Sequence, residues 1–421
     1  MREMALKLNK RLYYGWMIVL ISGLSFFFSA PGQTYSISVF INAYQNDFTY
    51  SSTLISSGYS IATTISGLSL IFMGKAVDRF GQKRMLMIVG IGLAITAFYN
   101  SFVANIGMIF VGFFLLRYLG QGSMTLIPNS LVPQWFEERR AFAISLAGIG
   151  NLLATLSVPL FNLWMITNFG WENAWRIWSI ILMVGFVPLV YMFAINKPED
   201  LGIPMENGLG ENPDSVEASL AKMEKESFTL KQALRTKEFW IVGIISTIPS
   251  MFSTGVTFHF FRMMELRNVT NEYAAFIIGL IAFPAFFMPF IARIVIDKYP
   301  VRFILSITLG LVILGMAWLA FAVNGPGTAI MFILFYGTAI AIQGVTLNYL
   351  WPTYFGRKYL GSIRGAATVF MVLGSALGPL PFGVEYDLLG TYTITILIMM
   401  VYTFIALLSS FFISKPLKKD Y

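Results

Sequence analysis

The chain has 421 residues, 57% of them hydrophobic and 12% charged, with a mean hydropathy of +0.70 and a net charge of +8. Soluble domains carry about 25% charged residues, so the composition excludes a water-soluble globular protein and indicates an all-α polytopic membrane protein. The absence of Cys and the single His, His259, exclude disulfides, thiol chemistry and multi-histidine metal sites, and the basic excess reads as loops on one face of a membrane rather than a nucleic-acid surface.

Apolar runs of membrane length predict twelve spans near 15–40, 52–73, 85–103, 107–128, 141–163, 174–195, 238–260, 273–296, 303–323, 328–350, 362–383 and 391–413. The basic N-terminus (Arg2, Lys7, Lys10, Arg11) precedes a run too long for a cleaved signal peptide, so a retained first span is expected. Of 29 Lys and Arg, 24 fall in the termini and the even-numbered loops. Arg176, Arg262 and Arg267 fall on the other side, and Arg117 and Arg293 lie within or near spans. That bias places both termini in the cytoplasm, and the expected location is the cytoplasmic (inner) membrane, crossed many times.

Span 1 holds Ser29-Ala30-Pro31-Gly32-Gln33-Thr34-Tyr35-Ser36. Pro31 removes a helical hydrogen bond, and a broken helix survives in a membrane where protein or water satisfies the backbone. Gln33 and Tyr35, with Tyr59 on span 2, are therefore cavity-lining candidates; the plain alternative is a kinked packing helix. Between spans 2 and 3, Gly74-Lys75-Ala76-Val77-Asp78-Arg79-Phe80-Gly81-Gln82-Lys83-Arg84 is expected to form a tight polar turn. Gly74 would let two helices approach closely, and Gly81 would supply a conformation that a Cβ resists. Span 4 carries Arg117 near its middle, flanked by Gly120-Gln121-Gly122. A charge at that depth costs about 2.5–3.5 kcal/mol on insertion scales and faces the protein interior. Gly148-x-Gly150-Asn151 on span 5 reads as a packing pair followed by a cavity candidate.

Residues 196–237 join a first six-span half (1–195) to a second (238–421). Within that linker Glu199–Ser219 reads as disordered and Phe228–Lys237 as a short amphipathic surface helix. Span 7 contains Pro249-Ser250, Ser253-Thr254 and His259. The His is either a proton carrier or a residue of the wet headgroup zone. Arg293 near the end of span 8 pairs with Asp297 at i, i+4 or binds substrate. Tyr336 and Gln343 on span 10 and Phe370 on span 11 are further cavity candidates, and Gly374, Gly378 and Gly383 with Pro379 and Pro381 point to a flexible outer end of span 11.

Asp78 and Asp297, followed by Lys298, stand 219 residues apart, as do Pro133 and Pro352, and Asn129 and Asn348. A shared offset at landmarks this far apart implies a duplicated half, a known transporter plan. The stretch Gly74-x-x-x-Asp78-Arg79-x-Gly81-x-Lys83-Arg84 resembles the loop signature of the major facilitator superfamily. Tyr13-Tyr14-Gly15-Trp16, Pro31–Tyr35, Trp135-Phe136-x-x-Arg139-Arg140 and Phe228-Thr229-Leu230…Phe239-Trp240 look like its branch of bacterial monocarboxylate transporters and oxalate–formate antiporters. The resemblance implies two pseudo-symmetric six-helix halves and a gating role for Gly74, Asp78, Arg79, Gly81, Arg84, Asp297 and Lys298. In drug-exporting relatives an Arg at the place of Arg117 belongs to a signature tied to coupling. In the monocarboxylate branch a deeper Arg on span 8 binds the substrate carboxylate; here that depth, near Pro289, is apolar and Arg293 sits nearer the cytoplasm.

Nucleotide-binding glycine loops are absent from the sequence, so no enzyme activity and no cofactor are expected, and transport must draw on a gradient. No Asp or Glu falls near the middle of any span, which disfavours a cation site and favours an anion at Arg117. The expectation is a monomeric carrier, in the bilayer, of a small organic anion, a monocarboxylate, by alternating access, as proton symport or exchange. The rivals are an exporter of amphiphilic compounds, on the strength of 39 Phe and 22 Met, and a membrane sensor that binds without moving its ligand.

Overall fold

A computed structural model describes residues 6, 9, 13–136, 139–202, 228–356 and 360–416; the side chains of Asp78, Arg293 and Asp297 lie outside that description. All regular structure among the described residues is helical. Among the described residues ten helices are long and apolar enough to cross a membrane. One of them, Phe142–Phe193, is two helices, because Gly170 at φ 79°, ψ 159° reverses the chain within it. The helix Gln82–Asn100 completes twelve.

In chain order these are α1 (Gly15–Phe28 and Thr34–Phe48), α2 (Ser52–Phe80), α3 (Gln82–Asn100), α4 (Ile106–Leu115, Leu116–Ser123 and Met124–Leu131), α5 (140–169) and α6 (171–193). The second set is α7 (Lys237–Glu265), α8 (Asn271–Gly279 and Ala282–Lys298), α9 (Val301–Phe321), α10 (Pro326–Phe355), α11 (Leu360–Leu377 and Pro379–Leu389) and α12 (Thr393–Ser410). The chain divides into two compact units, Met1–Leu209 and Gly210–Tyr421.

In the first unit the predicted break of α1 is a short 3₁₀ turn, Ala30–Gly32, followed by Gln33 in extended conformation. The half of α1 before it packs on α5, where a Cβ on Gly150 would strike the Gly23 carbonyl. Gly148, the other half of the expected packing pair, has open space. The half after the break runs to Phe48, eight residues beyond the predicted end, and is tied to α5 and α6 by indole donors. Trp171 donates to Asp47 (2.6 Å), Trp175 to the Tyr44 hydroxyl (2.8 Å) and Trp178 to Asn162 (2.7 Å), which in turn donates to Ser36 (2.8 Å). Phe40 stacks on Trp175 at 3.9 Å. The expected ten-residue loop between spans 5 and 6 shrinks to the Gly170 turn because these tryptophans continue α6 outward.

The polar turn between α2 and α3 is the single residue Gly81, at φ +82°. Lys75, Arg79, Lys83 and Arg84 therefore sit on helix ends rather than in a loop. Asn196, just past α6, fills the space where Gly81 lacks a Cβ and accepts the Lys83 backbone N–H at 2.8 Å, capping α3 from another helix. The Trp135 indole donates to the carbonyls of Ile195 and Asn196, the Tyr14 hydroxyl to Phe193 (2.8 Å) and the Tyr13 hydroxyl to Trp135 (2.7 Å). The basic end of this unit is thus knotted at 193–196. Part of the stretch expected to be disordered joins the knot: Pro198–Leu201 is a 3₁₀ turn, with Leu201 buried against Tyr14, Trp135 and Phe136. Residues 203–219 lie outside the described chain. Asn196→Ala is expected to lower the melting midpoint of the detergent-purified protein, by the about 0.5–2 kcal/mol that a lost helix cap costs.

In the second unit α7 and α11 touch backbone to backbone. A Cβ on Gly374 would lie 2.6 Å from the Thr247 carbonyl, and one on Gly378 would strike Met251 O. These glycines therefore pack rather than loosen α11, contrary to the expectation of a flexible outer end; the helix breaks once, at Gly378, ahead of Pro379. The predicted surface helix 228–237 is a single turn, Leu230–Ala233, with a Thr229–Gln232 capping box. It is anchored where the Phe228 N–H meets Phe355 O at 2.8 Å.

Candidate substrate site

Arg117 is 4% exposed and lies about 17 Å along α4 from Ile106, at 1.5 Å per residue. It sits in a π-helical stretch, Leu116–Ser123. Wide turns of this kind inside α-helices gather at functional sites. Here the wide turn is closed by Ser123, whose hydroxyl donates to Tyr118 O at 2.7 Å. Its Gly120 meets the α1 break, where a Cβ would fall 2.8 Å from Gly32 Cα. Two backbones thus meet where both helices depart from α geometry.

The guanidinium fills that junction. Its Nη1 donates to the Thr34 hydroxyl at 3.2 Å and, more weakly, to Gly32 O at 3.5 Å. The break in α1 therefore has its freed carbonyl satisfied by Arg117. Thr34 and Tyr59 share a 2.8 Å hydroxyl–hydroxyl bond, and the guanidinium carbon stands 5.1 Å from the Tyr59 ring centroid. The Nε is buried with no hydrogen-bond partner, and among the described residues no carboxylate lies within ion-pair distance. Among the described residues this buried cation is met by the Thr34 hydroxyl, the Gly32 carbonyl and the Tyr59 side chain, and with Nε unbonded it has capacity left for an anion. On α2, Ser60 and Thr63 bury hydroxyls that also lack partners.

Of the other first-unit candidates, Gln33 is partly buried and donates to Ser29 (3.0 Å). Tyr35 lies beside Thr155 with its buried hydroxyl unbonded. Asn151 is exposed, and its backbone carbonyl accepts from Thr155. Arg117 and Tyr59 are brought together; Gln33, Tyr35 and Asn151 share no bond with them. Thr34 is the residue that the sequence reading passed over. Its signal was present: a hydroxyl two residues beyond a break that must be solvated by protein.

The 219-residue offset carries the arrangement into the second unit. Arg117 corresponds to Tyr336, Gln33 to Phe252 and Thr34 to Ser253. Tyr336 indeed packs edge-on against Phe252 at 5.0 Å and lies beside Ser253, its buried hydroxyl unbonded. Two turns along α10, Gln343 is fully buried with neither amide atom partnered. Phe370 is elsewhere, on Gly243 between Phe239 (6.1 Å) and Trp240 (5.8 Å). His259 is 4% exposed, so it does not sit in wet headgroup space. Its Nε2 bonds Pro379 O at 3.0 Å, and its Nδ1 is 3.5 Å from the Tyr392 hydroxyl, joining α7 to the break of α11 and the start of α12. Glu385 is also buried, accepting the N–H groups of Ile394 (2.8 Å) and Thr395 (2.6 Å) at the N-terminus of α12.

Of the gating candidates, Arg79 and Arg84 are exposed, with Arg79 over the Phe80 ring at 5.2 Å, and Lys298 is exposed as well. Gly74 has nothing within 4 Å of a built Cβ. No close helix approach is made at Gly74 itself, although Met73 and Val77 beside it are buried. Among the described residues no three His, Asp or Glu side chains converge as metal ligands do.

Residues 16–379 match the Major Facilitator Superfamily. YhjX of Escherichia coli K12, an uncharacterised MFS-type transporter, is 26% identical over 309 residues, 70% of this chain and 69% of its own. Monocarboxylate transporter 2 of Rattus norvegicus is 20% identical, covering 90% of this chain and 78% of that one. The glucose transporter GlcP of Staphylococcus epidermidis is 22% identical, at 81% and 80%. A solved D-xylose–proton symporter superposes with a TM-score of 0.69, at 16% identity over 95% of this chain and 97% of that one, a likeness of fold alone.

Proposed function

This chain belongs to the Major Facilitator Superfamily, and we propose that, as such a transporter, it moves a small organic anion, a monocarboxylate, across the membrane by alternating access. The observation that carries this reading is Arg117: a buried cation deep in α4, with an unbonded Nε and, among the described residues, no carboxylate beside it. An ionised group in such a place is stabilised when an anion arrives. The likeness to a monocarboxylate transporter over most of the chain supports the same class. The excess of Lys and Arg on one set of loops orients both termini to the cytoplasm, and each protein copy works alone.

A second reading has its own support. Buried hydroxyls without partners at Tyr35, Ser60 and Thr63, and the likeness to a glucose transporter, fit a neutral polyhydroxylated solute. Uptake into proteoliposomes of labelled lactate, pyruvate, acetate, formate, oxalate and glucose, with and without a pH gradient, separates the two. Saturable uptake of a carboxylate is the expected result. Dependence on the gradient identifies proton symport, and dependence on preloaded anion identifies exchange. Uptake of glucose alone overturns the anion reading.

A further inference from the structure

We propose that Thr34 sets which edge of Arg117 meets the substrate, and that the site in consequence selects planar carboxylates over tetrahedral oxyanions. This rests on the anion reading above. A guanidinium has five N–H donors in a rigid plane. The two on Nη1 are directed to the Thr34 hydroxyl (3.2 Å) and the Gly32 carbonyl (3.5 Å). Nε has no partner. The guanidinium also hydrogen-bonds the Tyr59 side chain, and the edge with a donor to spare is the side-on fork, in which the Nε–H and one Nη2–H point the same way. That fork matches the two oxygens of a carboxylate in one plane.

The surroundings sharpen the choice. The Tyr59 ring lies against the guanidinium, 5.1 Å from its carbon, so an anion approaches in the guanidinium plane rather than over that face. A carboxylate has both oxygens in the plane. A sulfonate or phosphonate has a third oxygen outside it, which the donors of the guanidinium plane do not reach, at a desolvation cost. The fork is covered by protein in the described conformation, and it opens when the substrate enters.

Thr34 acts by positioning. Its oxygen accepts from Arg117 and shares a proton with Tyr59 at 2.8 Å. Valine keeps the shape of threonine and removes that oxygen, which frees Nη1 and lets the plane turn. Serine restores the oxygen.

The test uses the purified full chain and ligand-dependent shifts of its melting midpoint, titrating acetate and lactate against methanesulfonate and methylphosphonate. In the parent, carboxylates are expected to bind about tenfold or more tighter than their tetrahedral counterparts, the equivalent of one charge-assisted hydrogen bond. Thr34→Val is expected to lose that preference with about tenfold weaker carboxylate binding, and Thr34→Ser to regain it. Arg117→Lys, a point charge without a fork, is expected to bind both shapes alike. If Thr34→Val fails to fold, the parent, Ser and Lys ratios carry the test. Equal binding of both shapes by the parent, or a preference kept in Thr34→Val or Arg117→Lys, overturns the proposal while leaving the anion reading standing. Binding of neither shape overturns both.

Discussion

Arg117→Gln is expected to lower saturable carboxylate uptake by about two orders of magnitude, as the loss of a two-pronged charge-assisted contact implies at about 1.5–3 kcal/mol per bond. The same change should leave the purified protein as heat-stable as the parent, or more so. These two outcomes follow from one observation. The cation is 4% exposed and, among the described residues, has no carboxylate beside it, so the protein carries the desolvation cost of a buried charge. Glutamine removes the charge and keeps an amide donor where Nε stands. Stability given up at one residue and regained on substitution is the signature of a functional group. If uptake and melting midpoint fell together, Arg117 would instead be a strut that closes the carbonyl of the α1 break. If uptake stayed unchanged, its place in the site would fall.

The sequence read well wherever one residue type admits few structures. Membrane-length apolar runs gave the twelve helices, Pro31-Gly32 the break in α1, and Gly81 the positive-φ turn. Arg117 stood out because a charge at mid-span has few explanations. Tertiary partners were less legible. Nothing local to Asn196 says that it caps a helix beginning more than a hundred residues earlier. Thr34 is one of many hydroxyls on membrane helices, and only its approach to Arg117 distinguishes it. Phe370 and Asn151 were proposed as cavity residues from position alone, and period cannot tell which face of a wholly apolar helix meets protein, lipid or cavity. Glycine was the most ambiguous. Gly374 and Gly378 looked like looseness and are backbone contacts, whereas Gly74 looked like a contact and stands in open space. A missing side chain permits either, and the sequence does not say what occupies the vacated volume.

That ambiguity makes a paired glycine experiment informative. Gly32→Ala is expected to lower both the melting midpoint and carboxylate uptake. Its Cβ would lie 2.7 Å from Gly120 Cα and from the Gln121 nitrogen, and would strike Leu116 O. These are backbone atoms of α4, which cannot rotate aside, so the cost should reach or exceed the about 1–3 kcal/mol of ordinary overpacking. Parting α1 from α4 also carries Thr34 away from Nη1, so site and scaffold fail together, unlike Arg117→Gln. Gly74→Ala, at a position of α2 whose Cβ would enter open space, has the opposite expectation. It meets no neighbour and should raise the midpoint by about 0.5–1 kcal/mol through helix propensity. If Gly74 nonetheless belongs to a gate, in a conformation where a second helix closes on it, that stabilised variant will transport more slowly. Undiminished uptake by Gly74→Ala would remove Gly74 from the gate, and full uptake by Gly32→Ala would mean that α1 and α4 can part without disturbing the arginine.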